Sequence, residues 1–404
     1  MTMNIIKQSF ALFLILLINQ SCVSKGGNKE SKDSDLAVQS VKEFVMGVDL
    51  SYVNQIEDFD GVYKEDGKAK DVYSIFKEHG ANMVRLRIWN NPDWIYEVYG
   101  ENSSLYSGFA DVKKSIRRAK AQGMAVNLDF HYSDTWADPA HQAVPKAWEN
   151  ITDVNVLADS VYLYTYHVLN ELNKEDLLPE MVQIGNETNC GLMHTDTNED
   201  FPKLSICDDN WVSMGKVLNA GIKAVRDMDA ETGKSTIIAL HVADPKNLDF
   251  WYKGIMNKAG VTDFDVAGFS YYPHWHTEVS FSELPNVVKK LRADINKDVM
   301  ILETAYPYTL EDNDSYTNIF GKESAIEGYP VSVEGQRSFL IDLTQNMMDA
   351  GAKGVMYWEP AWISSNMKDF WGKGSAWDNT TVFDSSGNLT NGIDYMSYDY
   401  KKNK

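Results

Sequence analysis

The 404-residue chain reads as an α/β protein whose main domain is a single (β/α)8 barrel. Three observations carry that reading. From residue 43 onward a short apolar run, a loop and an amphipathic stretch alternate eight times. Near-continuous apolar strands separated by helices belong to parallel sheets covered by helices, and eight such units close into a barrel. The first run leads into "GVDLSYVNQIED", without the glycine-rich phosphate loop that an open doubly wound sheet carries after its first strand.

The strands can be justified in order from their apolar content and from the polar residues that end them. "FVMGVDL" (44–50) reaches Asp49, and "MVRLRIW" (83–89) carries Arg85 and Arg87 and stops at Trp89. "MAVNLDFH" (124–131) ends on Asp129 and His131, followed by Tyr132, and "MVQIGNE" (181–187) ends on Asn186 and Glu187. "TIIALHVA" (236–243) contains His241, and "FDVAGFSYY" (264–272) ends on Tyr271 and Tyr272. "DVMILETA" (298–305) contains Glu303, and "GVMYWEP" (354–360) contains Trp358 and Glu359. Helical stretches such as "KDVYSIFKEHG" and "EGQRSFLIDLTQNMMDAG" fall between them, several ending at a glycine that takes the left-handed conformation stopping a helix.

Polar and aromatic residues thus collect at one end of apolar strands, the end where active sites of this fold lie. Packing alone does not ask for this, because each buried charge needs a partner to offset its desolvation. Arg85 and Arg87 suit structural ion pairs as well as a site. An HExxH motif, a G-x-S-x-G elbow and a Walker loop are all missing, and the HxH pair His274 and His276 lacks an obvious cluster of metal-ligating partners, which argues against metal hydrolysis, serine catalysis and phosphate chemistry. What remains is Glu187 on the fourth strand and Glu303 on the seventh, facing each other across an eight-strand ring. Two carboxyls flanking one bond are the requirement of a glycosidase. Trp89, Trp94, Trp136, Trp275, Trp358, Trp362, Trp371 and Trp377 lie at or after strand ends, where they offer apolar platforms to sugar rings. Asn186, one residue before the acid, suits a hydrogen bond to a sugar 2-hydroxyl.

The motifs "RLRIWNNP", "LDFHYSDTWADPAHQ", "QIGNETNCGL", "GFSYYPHWH", "ILETAYPYTLED" and "SAWDNTTVFDSSG" resemble, in order and over most of the chain, glycoside hydrolase family 53, the endo-β-1,4-galactanases acting on galactan and arabinogalactan. The resemblance implies net retention, with Glu187 as acid/base and Glu303 as nucleophile. It implies that Arg87, His131, Asn186 and a tyrosine, Tyr271 or Tyr272, surround the two acids, with the tyrosine holding the nucleophile. Asp134, Trp136, Trp358 and Trp377 would line sugar subsites. It also implies a structural Ca2+ site: Asp312, Asp314 and Asn318 in "TLEDNDSYTN", Ser375 and Asp378 in "SAWD", and the Tyr316 carbonyl. The segment between Trp358 and Trp377 is shorter than in some bacterial relatives, which bears on product length. Another retaining barrel glycanase, such as a mannanase or cellulase, would keep both acids and change the rim; a non-catalytic glycan-binding lipoprotein would lose the acids.

Before the barrel, Lys7 precedes the apolar run 10–18 and then "NQSC". Nine apolar residues suit a secretory leader and are too few to span a bilayer. The stretch resembles a bacterial lipoprotein signal: residues 1–21 removed, Cys22 lipidated, 22–41 a polar tether, and the catalytic domain over 42–400. The expected location is a bacterial membrane, outer membrane or cell surface, reached through Cys22 alone. With 38 Lys and Arg against 58 Asp and Glu, the net charge is −20, which disfavours nucleic acid and anionic membrane as partners and is indifferent to a neutral polysaccharide. A monomer is expected. Cys190 and Cys207 either pair or stay as free thiols.

Overall fold

The computed structural model describes residues 43–321 and 325–401. Eight parallel strands form a closed barrel: β1 (Val45–Asp49), β2 (Met83–Ile88), β3 (Ala125–Phe130), β4 (Met181–Ile184), β5 (Ile237–Ala243), β6 (Val266–Ser270), β7 (Asp298–Glu303) and β8 (Gly354–Tyr357). Each pairs with its neighbours in sequence, and β1 closes on β8 with Val45 opposite Gly354. The expected (β/α)8 architecture is the observed one.

Helices follow the first seven strands: α1 (Val72–Glu78), α2 (Phe109–Ala121), α3 (Val154–Asn173), α4 (Trp211–Thr232), α5 (Leu248–Asn257), α6 (Leu284–Ile295) and α7 (Val333–Asp349). In the eighth position a 3-10 segment, Asn391–Ser397, packs against α7. Local chemistry sets the helix starts: Asp71, Asp153 and Ser332 accept hydrogen bonds from the free N–H groups of Ser74, Asn155 and Gly335. At the far ends of α2 and α7 the chain turns through Gly123 (φ 65°) and Gly351 (φ 74°), a conformation most residues avoid.

Alternation along the strands sorts side chains into two environments. On β2, Val84, Leu86 and Ile88 face the helices and join the large outer core. Met83, Arg85 and Arg87 face the barrel axis. The floor of the barrel is an apolar plug that includes Val45, Met83, Ala125, Met181, Met300 and Met356. Above it the inward positions turn polar, as at Arg85, Asn127, Gln183 and His241, all buried. The plug supplies hydrophobic burial, and the polar layer builds the site.

Cys190 and Cys207 form a disulfide in the loop after β4, 17 residues apart. Closing a loop of that length stabilises by about 3 kcal/mol in the chain-entropy account. The leader, Cys22, the tether and the first residue of the expected catalytic domain lie outside the described residues. Among the described residues no helix is long and apolar enough to cross a membrane.

Candidate active site

The mouth of the barrel at the C-terminal ends of the strands holds a cavity of about 580 Å3. Strand ends supply its floor through Asp49, Arg85, His131, Asn186, Glu187, Tyr272 and Glu303. Loops supply its walls, which are rich in tryptophan.

Glu303 reaches the cavity because β7 departs from regular alternation. Met300 and Leu302 already point into the barrel. The register then shifts, so that Phe269 faces Ile301 while Ser270 faces Glu303, with Leu302 as the extra residue. Such a bulge re-aims the side chain that follows it. The Glu303 carboxylate is anchored on both oxygens: Oε1 lies 2.9 Å from Arg85 Nη1, and Oε2 accepts from the Tyr272 hydroxyl at 2.8 Å.

Glu187 arrives differently. Beyond β4 the chain turns through Gly185 (φ 84°), and Glu187 itself has φ 46°. A left-handed non-glycine residue of this kind costs about 1–3 kcal/mol and is a recurrent feature of functional sites. Its carboxyl Oε1 contacts the Ser270 hydroxyl. Asn186 is fixed by donating to the Ala137 carbonyl at 2.7 Å and by accepting from Arg85 at 2.7 Å.

The two acids are close. An oxygen of Glu187, an oxygen of Glu303 and a ring nitrogen of His241 all lie within 4.8 Å of one another. Glu187 and Glu303 are 8% and 5% exposed, so water does little to screen them. Desolvation raises the Glu187 pKa well above the ordinary range, and the charge of Glu303 raises it further. Burial also pushes Glu303 up, to about 7, against the pull of Arg85 and the Tyr272 hydroxyl. Arg85 and Tyr272 favour the Glu303 anion, while burial and the Glu303 charge favour the neutral form of Glu187 against a hydrogen bond from Ser270 and the charge of Arg85. The pair is arranged to share one proton, held on Glu187.

The glycosyl hydrolase family 53 model matches residues 45–396, the whole barrel. The chain belongs to this family. It is 43% identical over 343 residues to an arabinogalactan endo-β-1,4-galactanase of Cellvibrio japonicus (strain Ueda107), covering 85% of this chain and 87% of that protein. It is 37% identical over 347 residues to an endo-β-1,4-galactanase of Bacillus subtilis (strain 168), covering 83% and 75%. Among solved structures, the Ignisphaera aggregans GH53 catalytic domain superposes with a TM-score of 0.78 at 34% identity, covering 89% of this chain and 97% of that one.

In this family 53 barrel most of the expected site residues converge on the cavity, and two, Tyr271 and Asp134, need correction. Arg87 lines the cavity without holding either acid. It pairs with Glu359 at 2.6 Å and lies against the rings of Tyr52 and Trp136. Glu359 is pushed up to about 8 by burial, with Asp49 adding to the rise and Arg87 opposing it. The guanidinium at Glu303 belongs to Arg85. Of the two tyrosines, Tyr272 lines the cavity and holds the nucleophile position, while Tyr271 lies outside the lining, on the side of Ala267 and Phe269 that faces the helices. Asp134 lies outside the cavity lining; it accepts from the backbone N–H groups of Asn91 and Lys146 and shapes a loop. Ser270 and His241 were not read as site residues, although Ser270 shares the inward face of β6 with Tyr272. His131 sits at the floor, 3.0 Å from Asp129.

Trp136, Trp358 and Trp377 form a continuous aromatic wall, with ring centroids 5.7 Å and 4.8 Å apart in turn. Trp275 and Trp371 extend the rim and are 43% and 61% exposed. Solvent-facing indole at a cavity edge is available to a sugar face.

The loop after β7 meets the segment 375–378 beside this rim. Asn318 donates to Asp312 at 3.0 Å and to Asp378 at 2.8 Å, and Asp314 accepts from the Ser375 N–H at 2.8 Å. Asp314 can approach this closely because residue 374 is glycine: a Cβ there would lie 2.0 Å from Asp314 Oδ2. Among the described residues, Asp312, Asp314 and Asp378 have no Lys, Arg or His ion-pair partner. Burial raises the Asp378 pKa, and the Asp314 charge adds to the rise. Three carboxylates and an amide thus meet with no cationic side chain among them, although among the described residues their oxygens are not gathered as closely as those of Glu187 and Glu303.

Proposed function

We propose that this protein is an endo-acting, retaining galactanase that hydrolyses β-1,4-galactosidic bonds in galactan and type I arabinogalactan by double displacement. The observation that carries this reading is the pair of buried carboxyls within 4.8 Å inside a tryptophan-walled cleft of a family 53 barrel. Retaining pairs stand about 5–5.5 Å apart, whereas inverting pairs leave about 6.5–9.5 Å for a water.

In the first step a Glu303 oxygen attacks the anomeric carbon, the glycosidic C–O bond breaks, and Glu187 gives its proton to the leaving oxygen. Esterification removes the Glu303 charge, so Glu187 is then free to act as base. It takes a proton from water, the hydroxyl adds to the anomeric carbon, and Glu303 leaves as a carboxylate. Arg85 and Tyr272 favour the anionic nucleophile. Asn186 is assigned to the 2-hydroxyl of the sugar, and Trp136, Trp358 and Trp377 to subsites.

The same reading includes a Ca2+ ion held by Asp312, Asp314, Asn318, Asp378, Ser375 and the Tyr316 carbonyl. Its chemistry would be structural, tying the β7 loop to the 375–378 segment. It also includes export, lipidation at Cys22 and residence on a membrane as a monomer.

The two acids are tested by substitution. Glu303→Ala should lose about 10^4-fold or more on galactan and on dinitrophenyl galactoside alike, because no group attacks the anomeric carbon. Glu187→Ala should lose far more on galactan than on the aryl substrate, whose leaving group needs little protonation, and azide should accelerate its second step. Equal losses for both variants on both substrates would refute the assignment.

A further inference from the structure

Ser270 and His241 are fully buried, lie outside the cavity lining, and stand directly behind Glu187. The orientation of the Asn186 amide is fixed by its bonds to Ala137 and Arg85, so its oxygen faces His241 Nδ1 at 2.7 Å. The Gln183 amide nitrogen and the Glu187 N–H also approach Nδ1, at 3.1 and 3.4 Å. The Gln183 nitrogen has two other acceptors, the Gly185 carbonyl and Asn186 Oδ1. The 2.7 Å contact is to an amide oxygen, which carries no hydrogen, so it is a bond only with the proton on Nδ1. Burial, together with the charge of Arg85, lowers the His241 pKa well below its ordinary value. A neutral ring protonated on Nδ1 has a bare Nε2, and that atom lies 3.0 Å from the Ser270 hydroxyl oxygen. The same hydroxyl oxygen contacts Glu187 Oε1.

Two contacts therefore meet at one hydroxyl, which owns one hydrogen. If Nε2 is bare, Ser270 donates to it, and the hydrogen in the second contact must come from Glu187.

We infer that Ser270 and His241 are positioning residues that hold Glu187 as the neutral acid, through a hydrogen-bond chain running from the Glu187 carboxyl through Ser270 Oγ to His241 Nε2. The inference rests on the reading of Glu187 as acid/base. When the Glu187 proton passes to the glycosidic oxygen, the Ser270 hydroxyl turns from Nε2 to the new carboxylate. When Glu187 takes a proton from water in the second step, the hydroxyl turns back. His241 keeps its charge and its tautomer throughout. Through Nδ1 the same ring braces Asn186, so one imidazole orients both neighbours of the scissile bond.

The test has two parts. The first is the histidine 15N spectrum of the full-length enzyme between about pH 5 and pH 8. His241 should show Nδ1 protonated and Nε2 bare; a protonated Nε2 would overturn the chain, because His241 would then supply the second hydrogen. The second part compares turnover of galactan and of dinitrophenyl galactoside in Ser270→Ala, His241→Asn and His241→Gln, each first checked for a native melt. Losing one such hydrogen bond should lower the galactan-to-aryl ratio roughly ten-fold in Ser270→Ala and His241→Asn. His241→Gln, whose side-chain oxygen can reach the Nε2 position, should recover much of the ratio. Equal loss on both substrates, or no recovery with Gln, would overturn the proposal. Glu187→Ala run alongside keeps the failures apart: if it too shows no change in ratio, the acid/base assignment itself fails.

Discussion

Arg85 uses all five of its N–H groups. Nε donates to Gln183 at 3.0 Å, Nη1 faces Asp49 and Glu303 at 2.9 Å each, and Nη2 donates to Asp129 at 2.8 Å and Asn186 at 2.7 Å. A lysine has three donors and cannot span this set. The surrounding carboxylates outnumber the one guanidinium, and this has a consequence for stability. Glu303 and Glu359 are raised by burial to about 7 and about 8, whereas a glutamate in an unfolded chain titrates at about 4.3. Between the unfolded and folded values these two groups bind more protons in the folded protein than in the unfolded chain, so their contribution to stability is full below about pH 4.3 and is lost as pH rises through that window. Glu303→Gln cannot ionise and removes its part of the slope. Its melting temperature should exceed the parent's by more at about pH 8 than at about pH 5, as read by calorimetry; the same difference at both values would contradict the account. At this scale the sequence was partly legible. Glu187, Glu303, Asn186 and His131 stood at recognisable strand ends. Arg85 and Arg87 share an inward face, so alternation alone does not say which of them touches Glu303, and only the depth of each in the barrel decides. Tyr271 and Tyr272 were separable in principle by their parity along β6.

All eight barrel strands were legible because parallel strands buried on both faces read as apolar runs, and the turns of helices α2 and α7 at Gly123 and Gly351 were legible from the glycines. The bulge that aims Glu303 was not, since it adds no unusual residue and shows only in the pairing of β6 with β7. The pairing of Cys190 with Cys207 was open for a similar reason: spacing does not fix the approach of two Cβ atoms. The loop after β7 is the element whose order should depend on a ligand. A cation bound only by the folded protein stabilises it by mass action. Thorough chelation should lower the melting temperature by several degrees, added Ca2+ should restore it, and Asp314→Ala should make the melt insensitive to both. A melt unchanged by chelation, with no metal in elemental analysis, would dismiss the site.

For the molecule as a whole, the −20 charge keeps the barrel soluble and leaves a neutral polymer free to approach. The disulfide suits an oxidising compartment, which is where the proposed export would place the protein. Full-length protein should fractionate with membranes, and Cys22→Ala should move to the soluble fraction with its galactanase activity retained. Persistence of that variant in the membrane fraction would remove the lipid anchor from the account.

Two carboxyls with oxygens within 4.8 Å of each other are proposed to perform a double displacement on galactan. The most direct measurement is the anomeric configuration of the first-formed reducing ends on linear β-1,4-galactan, followed by 1H NMR before mutarotation sets in. With retention the β-anomer should appear first and the α-anomer grow later at the rate of mutarotation. First-formed α-anomer would contradict it, because inversion requires a water between acids that stand too close to hold one.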